Sequence, residues 1–374
     1  MKKLAILSLL LILLFACAPA QPAEKPFEQI IKAEKPVEKI VLGASLPLTG
    51  EAASVGNDAR AGMELALKEV NDEGGINGKM LEIKYEDDKC SKEGITTITK
   101  LITADNVNAI IGPLCSAAAG PGLPVAQEAG MPTIIFASAP HLTKIGDFIF
   151  RIYPSDAFGG KFVAEYVYNT LGKKNAAIVY VKNDWGQGLH DTFVARFAEI
   201  GGKVVFDDSL NQDESDARTL IAKLIEAKPD VIVAPLYPAV GVVFIKQAKE
   251  AGVKAPILGG DAFDSKEVIE SGVADDVKFA VPSIKNPAEF ADRVKKVTGK
   301  DSSIWTPLGY DAVKIFAQVI QKVGTDKKAI RDELAALRYE GVSSTVIEFD
   351  ADGDLKAASY DVKLIKDNNT TIMK

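Results

Sequence analysis

The chain has 374 residues, 47% hydrophobic and 25% charged, with 44 Lys/Arg against 51 Asp/Glu for a net charge of −7. That length exceeds one ordinary core and suits two domains, and the near-average composition excludes disordered, collagen-like and coiled-coil chains. A diffuse acidic balance with no basic block speaks against a nucleic-acid partner, and two histidines and three cysteines leave little for a zinc site.

The N-terminus bears on the compartment. Lys2 and Lys3 precede an uncharged apolar run over residues 4–16 that is too short to span a membrane, the pattern of an export signal. It ends Leu14-Phe15-Ala16-Cys17, which resembles the lipobox of bacterial-type lipoproteins, although Phe15 is larger than the usual residue there. That resemblance implies removal of residues 1–16 and lipidation of Cys17; an ordinary secretory peptide is the alternative. Residues 17–38 then form a tether, with prolines at 19, 22, 26 and 36 and too little apolar content to fold. With Cys17 given to the lipid, Cys90 and Cys115 remain as an even pair in an oxidising compartment, where a disulfide is expected. A catalytic thiol would need a histidine partner, and His141 and His190 offer none that the sequence marks, both reading as surface residues.

From residue 39 onward strands and helices alternate. Residues 39–44 (KIVLGA) predict a strand, 57–73 a helix stopped by Gly74-Gly75, 81–85 a strand and 92–104 a helix. Residues 108–112 (NAIIG) predict a buried strand, 117–129 a helix with Ser116 as its N-cap, and 133–136 a strand. The rhythm repeats with strands over 176–181, 204–206, 230–234 and 256–258 and helices over 188–200, 215–227 and 240–251. This alternation means βαβ units and a mainly parallel sheet, twice over: an α/β chain of two doubly wound lobes.

Ligands of such sheets bind beyond the carboxyl ends of the strands. The loops there carry Ser116 after Gly112-Pro113-Leu114-Cys115, Ser138 after Ala137, Trp185 in Asn183-Asp184-Trp185-Gly186, Tyr237 before Pro238, and Asp261 after Gly259-Gly260. Each has a plainer reading as cap, turn or core residue. Other motifs fail on inspection. Residues 74–80 lack the spacing and Ser/Thr of a phosphate loop. Residues 350–354 (DADGD) have their glycine at the wrong step for a calcium loop and read as a solvated turn. No Gly-x-Ser-x-Gly elbow occurs.

Taken in order, GASLPLTGEAASVGNDARAGMELALKEVNDEGGINGK, YEDDKC, IGPLCS, YVKNDWGQG, LYP and GYDAV make the chain similar, over 39–374, to the branched-chain amino acid binding proteins of ATP-driven importers, of the type I periplasmic-binding-protein fold. The resemblance implies two lobes joined by three hinge crossings, lobe I over 39–153 with 283–356 and lobe II over 154–282 with 357–374. It pairs Cys90 with Cys115, gives Ser116 the ligand carboxylate, Ser138 and the Ala137 backbone the polar head, Trp185 and Tyr237 the aromatic cover, and Asp261 the ligand ammonium. Asp261 is shorter than the Glu of well-known leucine binders, and Val55 replaces an aromatic of some relatives. The implied function is capture of an amino acid, branched-chain foremost, by an exported monomer that hands it to a membrane permease, with no cofactor or metal. A sensor for an amide or small carboxylate, and an enzyme on the same scaffold, are the alternatives.

Overall fold

The computed structural model describes residues 39–373 apart from Glu51 and Thr345, so the export signal, Cys17 and the tether lie outside the described residues. A continuous apolar run makes β1 (Ile40–Leu46), buried on both faces. There follow α1 (Ala53–Asp72), β2 (Leu81–Asp87), α2 (Gly94–Thr103), β3 (Ala109–Ile111), α3 (Ser116–Glu128), β4 (Thr133–Ile135) and β5 (Ile149–Arg151). The five strands form one parallel sheet in the order β2-β1-β3-β4-β5, with Leu42 opposite Ile83 on one side and Ala109 on the other.

A second sheet is built from α4 (Asp156–Glu165), β6 (Asn175–Val181), α5 (Asp184–Glu199), β7 (Lys203–Leu210), α6 (Arg218–Ala227), β8 (Val231–Ala234), α7 (Pro238–Glu250), β9 (Ile257–Gly259), α8 (Lys266–Ile269) and β10 (Lys278–Pro282). The chain then adds α9 (Ala288–Thr298), α10 (Trp305–Val323) and α11 (Lys327–Ala335) on the side of the first sheet, where α10 packs along α1. The two helices approach closely because Gly62 and Gly309 face backbone: a Cβ on either would lie 1.8 Å from the Thr306 carbonyl or 2.0 Å from that of Ala59. A short ribbon, β11 (Arg338–Tyr339) with β12 (Ile347–Glu348), precedes β13 (Tyr360–Lys366) and β14 (Asn369–Met373), which return to the second sheet. Its order is β14-β13-β10-β9-β8-β6-β7. Between β5 and α4, β10 and α9, and β12 and β13 the chain passes from one sheet to the other. The architecture is the expected α/β fold with two doubly wound parallel sheets.

Several local expectations are corrected. Helix α1 begins at Ala53, not at residue 57, and α5 at Asp184, not at residue 188, because Asn183 Oδ1 accepts from the Gly186 N–H at 3.0 Å and starts the helix inside a glycine-rich stretch. Ser116 is not the N-cap of α3: Cys115 holds that position with extended backbone, and Ser116 is the first helical residue. Strands β13 and β14 run antiparallel, an edge that strand–helix rhythm does not signal. Nor did it find β5 and α4, which lack a clean apolar period. No helix among the described residues is long and apolar enough to cross a membrane.

Candidate functional site

The carboxyl ends of β1, β3 and β4 face those of β6, β8 and β9 across a narrow cleft lined by Ser116, Ser138, Trp185, Tyr237 and Asp261 together with Val55, Phe136 and Trp305. Its walls stand close together and leave a cavity of only about 30 Å³. Admission of any molecule the size of an amino acid therefore requires the walls to part.

The wall contributed by the first sheet is tied together below the surface. Ser45 at the end of β1 donates to Asp88 Oδ2 at 2.9 Å, and the Cys90 N–H donates to Asp88 Oδ1 at 2.9 Å. Burial pushes the Asp88 carboxyl up to about 6, against the opposing effect of these hydrogen bonds. Cys90 is bonded to Cys115, S–S 2.08 Å, so the loop after β2 is joined to the N-cap of α3. Gly112 in that segment has φ +95° and would place a Cβ 2.1 Å from the Ser45 carbonyl, so only glycine lets the two loops meet.

Ser116 and Ser138 are held in one network. The Ala139 N–H donates to Ser116 Oγ at 3.2 Å. The carbonyls on either side of Ser138, those of Ala137 and Ala139, accept from Arg151 Nη1 at 3.2 and 2.8 Å, and the Ser138 carbonyl accepts from the Asp156 N–H at 2.9 Å. Arg151 is itself fully buried and paired with Asp354. Ala137 does not line the cleft; its N–H donates to the Pro113 carbonyl at 3.3 Å. Residues 350–354 thus form more than a solvated turn, since Asp354 anchors the arginine that shapes the Ser138 loop. Among the described residues Asp156 is another buried acid here, with its carboxyl raised well above the usual range by burial.

The facing wall is aromatic and acidic. Trp185, second residue of α5, stacks on Tyr237 with ring centroids 4.9 Å apart and planes within 6°. Tyr237 is the N-cap of α7, and its hydroxyl stands 3.4 Å from Cys90 Sγ. The bonded sulfur carries no proton, so the hydroxyl is the donor in that contact. Asp261 opens the helical turn after β9; it accepts from the Ala262 N–H at 3.0 Å and from the Tyr153 hydroxyl. Burial raises its carboxyl to about 6, the Tyr153 hydrogen bond opposing that shift.

Sequence reasoning missed Tyr153 and Trp305, which stack with centroids 4.8 Å apart. Tyr153 lies on the passage between the two sheets and Trp305 at the start of α10. Tyr153 follows the end of β5, a strand that the sequence rhythm does not signal, and Trp305 opens a helix with no strand before it, so the walk from predicted strand ends reaches neither. The histidines take no part in the cleft; His190 sits between Asp191 and Asp207, its nitrogens 2.7 and 2.8 Å from their carboxylates.

Chemically the cleft offers a hydroxyl at a helix start, where backbone N–H groups and the dipole favour an anion. Opposite stand a half-buried carboxylate suited to a cation and an aromatic pair, with aliphatic and aromatic wall between. The family profile of periplasmic binding proteins matches residues 39–369. The Leu/Ile/Val-binding protein homolog 1 of Brucella melitensis is 31% identical over 333 residues, 86% of this chain and 89% of that one. The leucine binding protein LivK of Thermotoga maritima superposes with a TM-score of 0.83 at 26% identity, over 90% of this chain and 98% of its own. The branched-chain amino acid transporter substrate binding protein LivJ of Streptococcus pneumoniae, solved in complex with isoleucine, gives 0.81 at 26% identity, over 90% and 100%.

Proposed function

The chain belongs to the periplasmic binding protein family, and from that premise we propose that it captures an amino acid, a branched-chain one foremost, between two closing lobes and delivers it to a membrane permease of an ATP-driven importer. One observation carries the reading: the buried Ser116 at the start of α3 and the half-buried Asp261 line the same cleft, so opposite charges of a zwitterion each find a partner once water is excluded. The carboxylate of the ligand goes to Ser116 and the helix start, with Ser138 on its polar head. Its ammonium goes to Asp261, displacing the Tyr153 hydroxyl from at least one oxygen. Trp185 and Tyr237 cover the ligand, and Val55, Phe136 and Trp305 receive the side chain.

In this reading lobe I comprises 39–153 with 283–356 and lobe II comprises 154–282 with 357–374. The walls of the cleft belong to different lobes, so contacts such as Tyr237 to Cys90 exist only when they meet. Closure is then a population shift drawn by contacts unique to the closed state. The chain is an exported binding protein and not an enzyme, a monomer held at a membrane by lipid on Cys17. Intact mass of membrane-extracted protein tests the anchor: an unmodified Cys17 removes it. Calorimetric titration with leucine, isoleucine and valine, then the remaining amino acids, tests the capture. Saturable binding without turnover is the expected result, and absence of binding across the whole panel overturns it.

A further inference from the structure

Trp305 lines the cleft from the first turn of α10 and is 6% exposed. Its indole Nε1–H is shut off from solvent and has no acceptor among the described residues. The ring is not free to turn and find one. Tyr153 covers one face at 4.8 Å and 17°, and the Trp305 N–H donates to Ser303 Oγ at 3.2 Å, fixing the backbone that carries it. Ser54, between the cleft-lining residues Ala52 and Val55, likewise has a buried hydroxyl with no partner. Trp305 is itself a lining residue, Ser54 adjoins two lining residues in sequence, and much of the remaining lining is apolar, Ala52, Val55, Leu114 and Phe136 among it. Folded proteins rarely leave a fixed buried donor unpaired, because nothing offsets its loss of water.

We infer that Trp305 determines specificity by donating its Nε1–H to an oxygen on the ligand side chain, so that the cleft prefers a small branched L-amino acid bearing a hydroxyl or carbonyl oxygen, threonine being the type. The inference rests on the amino-acid reading above and narrows it. A purely aliphatic side chain such as that of valine fills the same space but leaves the indole donor unpaired. A site built to hydrogen-bond a substrate group discriminates strongly against the isostere that lacks it. Narrowness of the cleft argues for the shorter members of the class.

Threonine and valine are near-isosteric, so titration of both into wild type and Trp305→Phe isolates the hydrogen bond. Wild type is expected to favour threonine, and the ratio of the two affinities is expected to fall by about tenfold in Trp305→Phe. An unchanged ratio, as when a trapped water serves the indole, overturns the inference. The chain has two tryptophans, so an ¹⁵N-indole spectrum contains two signals that Trp185→Phe assigns. This reading stands even if Trp305→Phe does not fold: the Trp305 signal moves downfield with threonine and not with valine, and equal movement with both overturns the inference. Valine binding with no preference for threonine sinks this inference alone; failure of every amino acid sinks the capture reading with it.

Discussion

Arg151, fully buried, and the partly buried Asp354, far apart in sequence, form a two-pronged ion pair, Nε to Oδ1 at 2.9 Å and Nη2 to Oδ2, while the remaining nitrogen Nη1 holds the carbonyls on either side of Ser138. The Arg151 N–H also donates to the Gly353 carbonyl at 2.8 Å. The planar guanidinium can serve three acceptor groups at once in a way an ammonium cannot. The pair therefore couples the segment before β13 to the loop that presents Ser138.

Arg151→Ala is expected to destabilise the ligand-free protein by about 3 kcal/mol, since it strips a partner from Asp354 and two carbonyls in a buried setting. Arg151→Lys keeps the charge but not the geometry, and should fold while binding ligand more weakly. Thermal denaturation and calorimetry of both variants check this. Wild-type affinity in Arg151→Lys would show that the Ser138 loop does not depend on the fork.

Asp261→Asn keeps shape and removes charge. Amino-acid binding is expected to weaken by roughly 2–5 kcal/mol, the penalty for leaving a desolvated ammonium without its counter-charge. Ligand-free stability should hold or rise, because the neutral amide escapes the burial that raises the Asp261 carboxyl to about 6. Calorimetric titration beside a melting curve separates the two effects, and undiminished affinity would remove the acidic role.

The pH dependence follows with opposite signs for stability and for binding. Asp88 and Asp261 both stand near 6 against an ordinary 3.8, so folding is favoured when they hold protons, and that stability is lost as pH rises through 6. Each contributes at most about 3 kcal/mol on the scale of 1.36 kcal/mol per unit. Ligand-free protein is therefore expected to melt higher at pH 5.5 than at pH 7.5. Ammonium binding needs Asp261 ionised, so affinity should fall as pH drops below 6. Melting and titration series across that range test the pair; affinity that improves on acidification would contradict the assignment.

Reduction of Cys90–Cys115 should lower stability by roughly 3–4 kcal/mol on the chain-entropy model. Because Cys115 is the residue before Ser116 and the Tyr237 hydroxyl rests on Cys90, ligand affinity should fall too. The paired Cys90→Ser, Cys115→Ser variant checks both effects. A variant that melts and binds as wild type does would confine the bond to a passive role, and two free thiols in unreduced exported protein would remove it.

Fold class and five of the cleft residues were legible in the sequence for one physical reason. A parallel strand buried on both faces is a short apolar run, and its ligand loop follows at once, so Ser116, Ser138, Trp185, Tyr237 and Asp261 could be listed by walking from strand ends. Local chemistry was read less well where a side chain overrules composition, as when Asn183 starts α5 within a glycine-rich segment. What the tertiary structure decided is everything that depends on distant segments meeting. Tyr153 reaches Asp261, Trp305 stacks on Tyr153, and Asp354 pairs with Arg151, each joining stretches of chain that no local period connects. The hydrophobic pattern of a segment reports only whether it is buried, whereas the partner it is buried against is chosen by the packing of the whole chain.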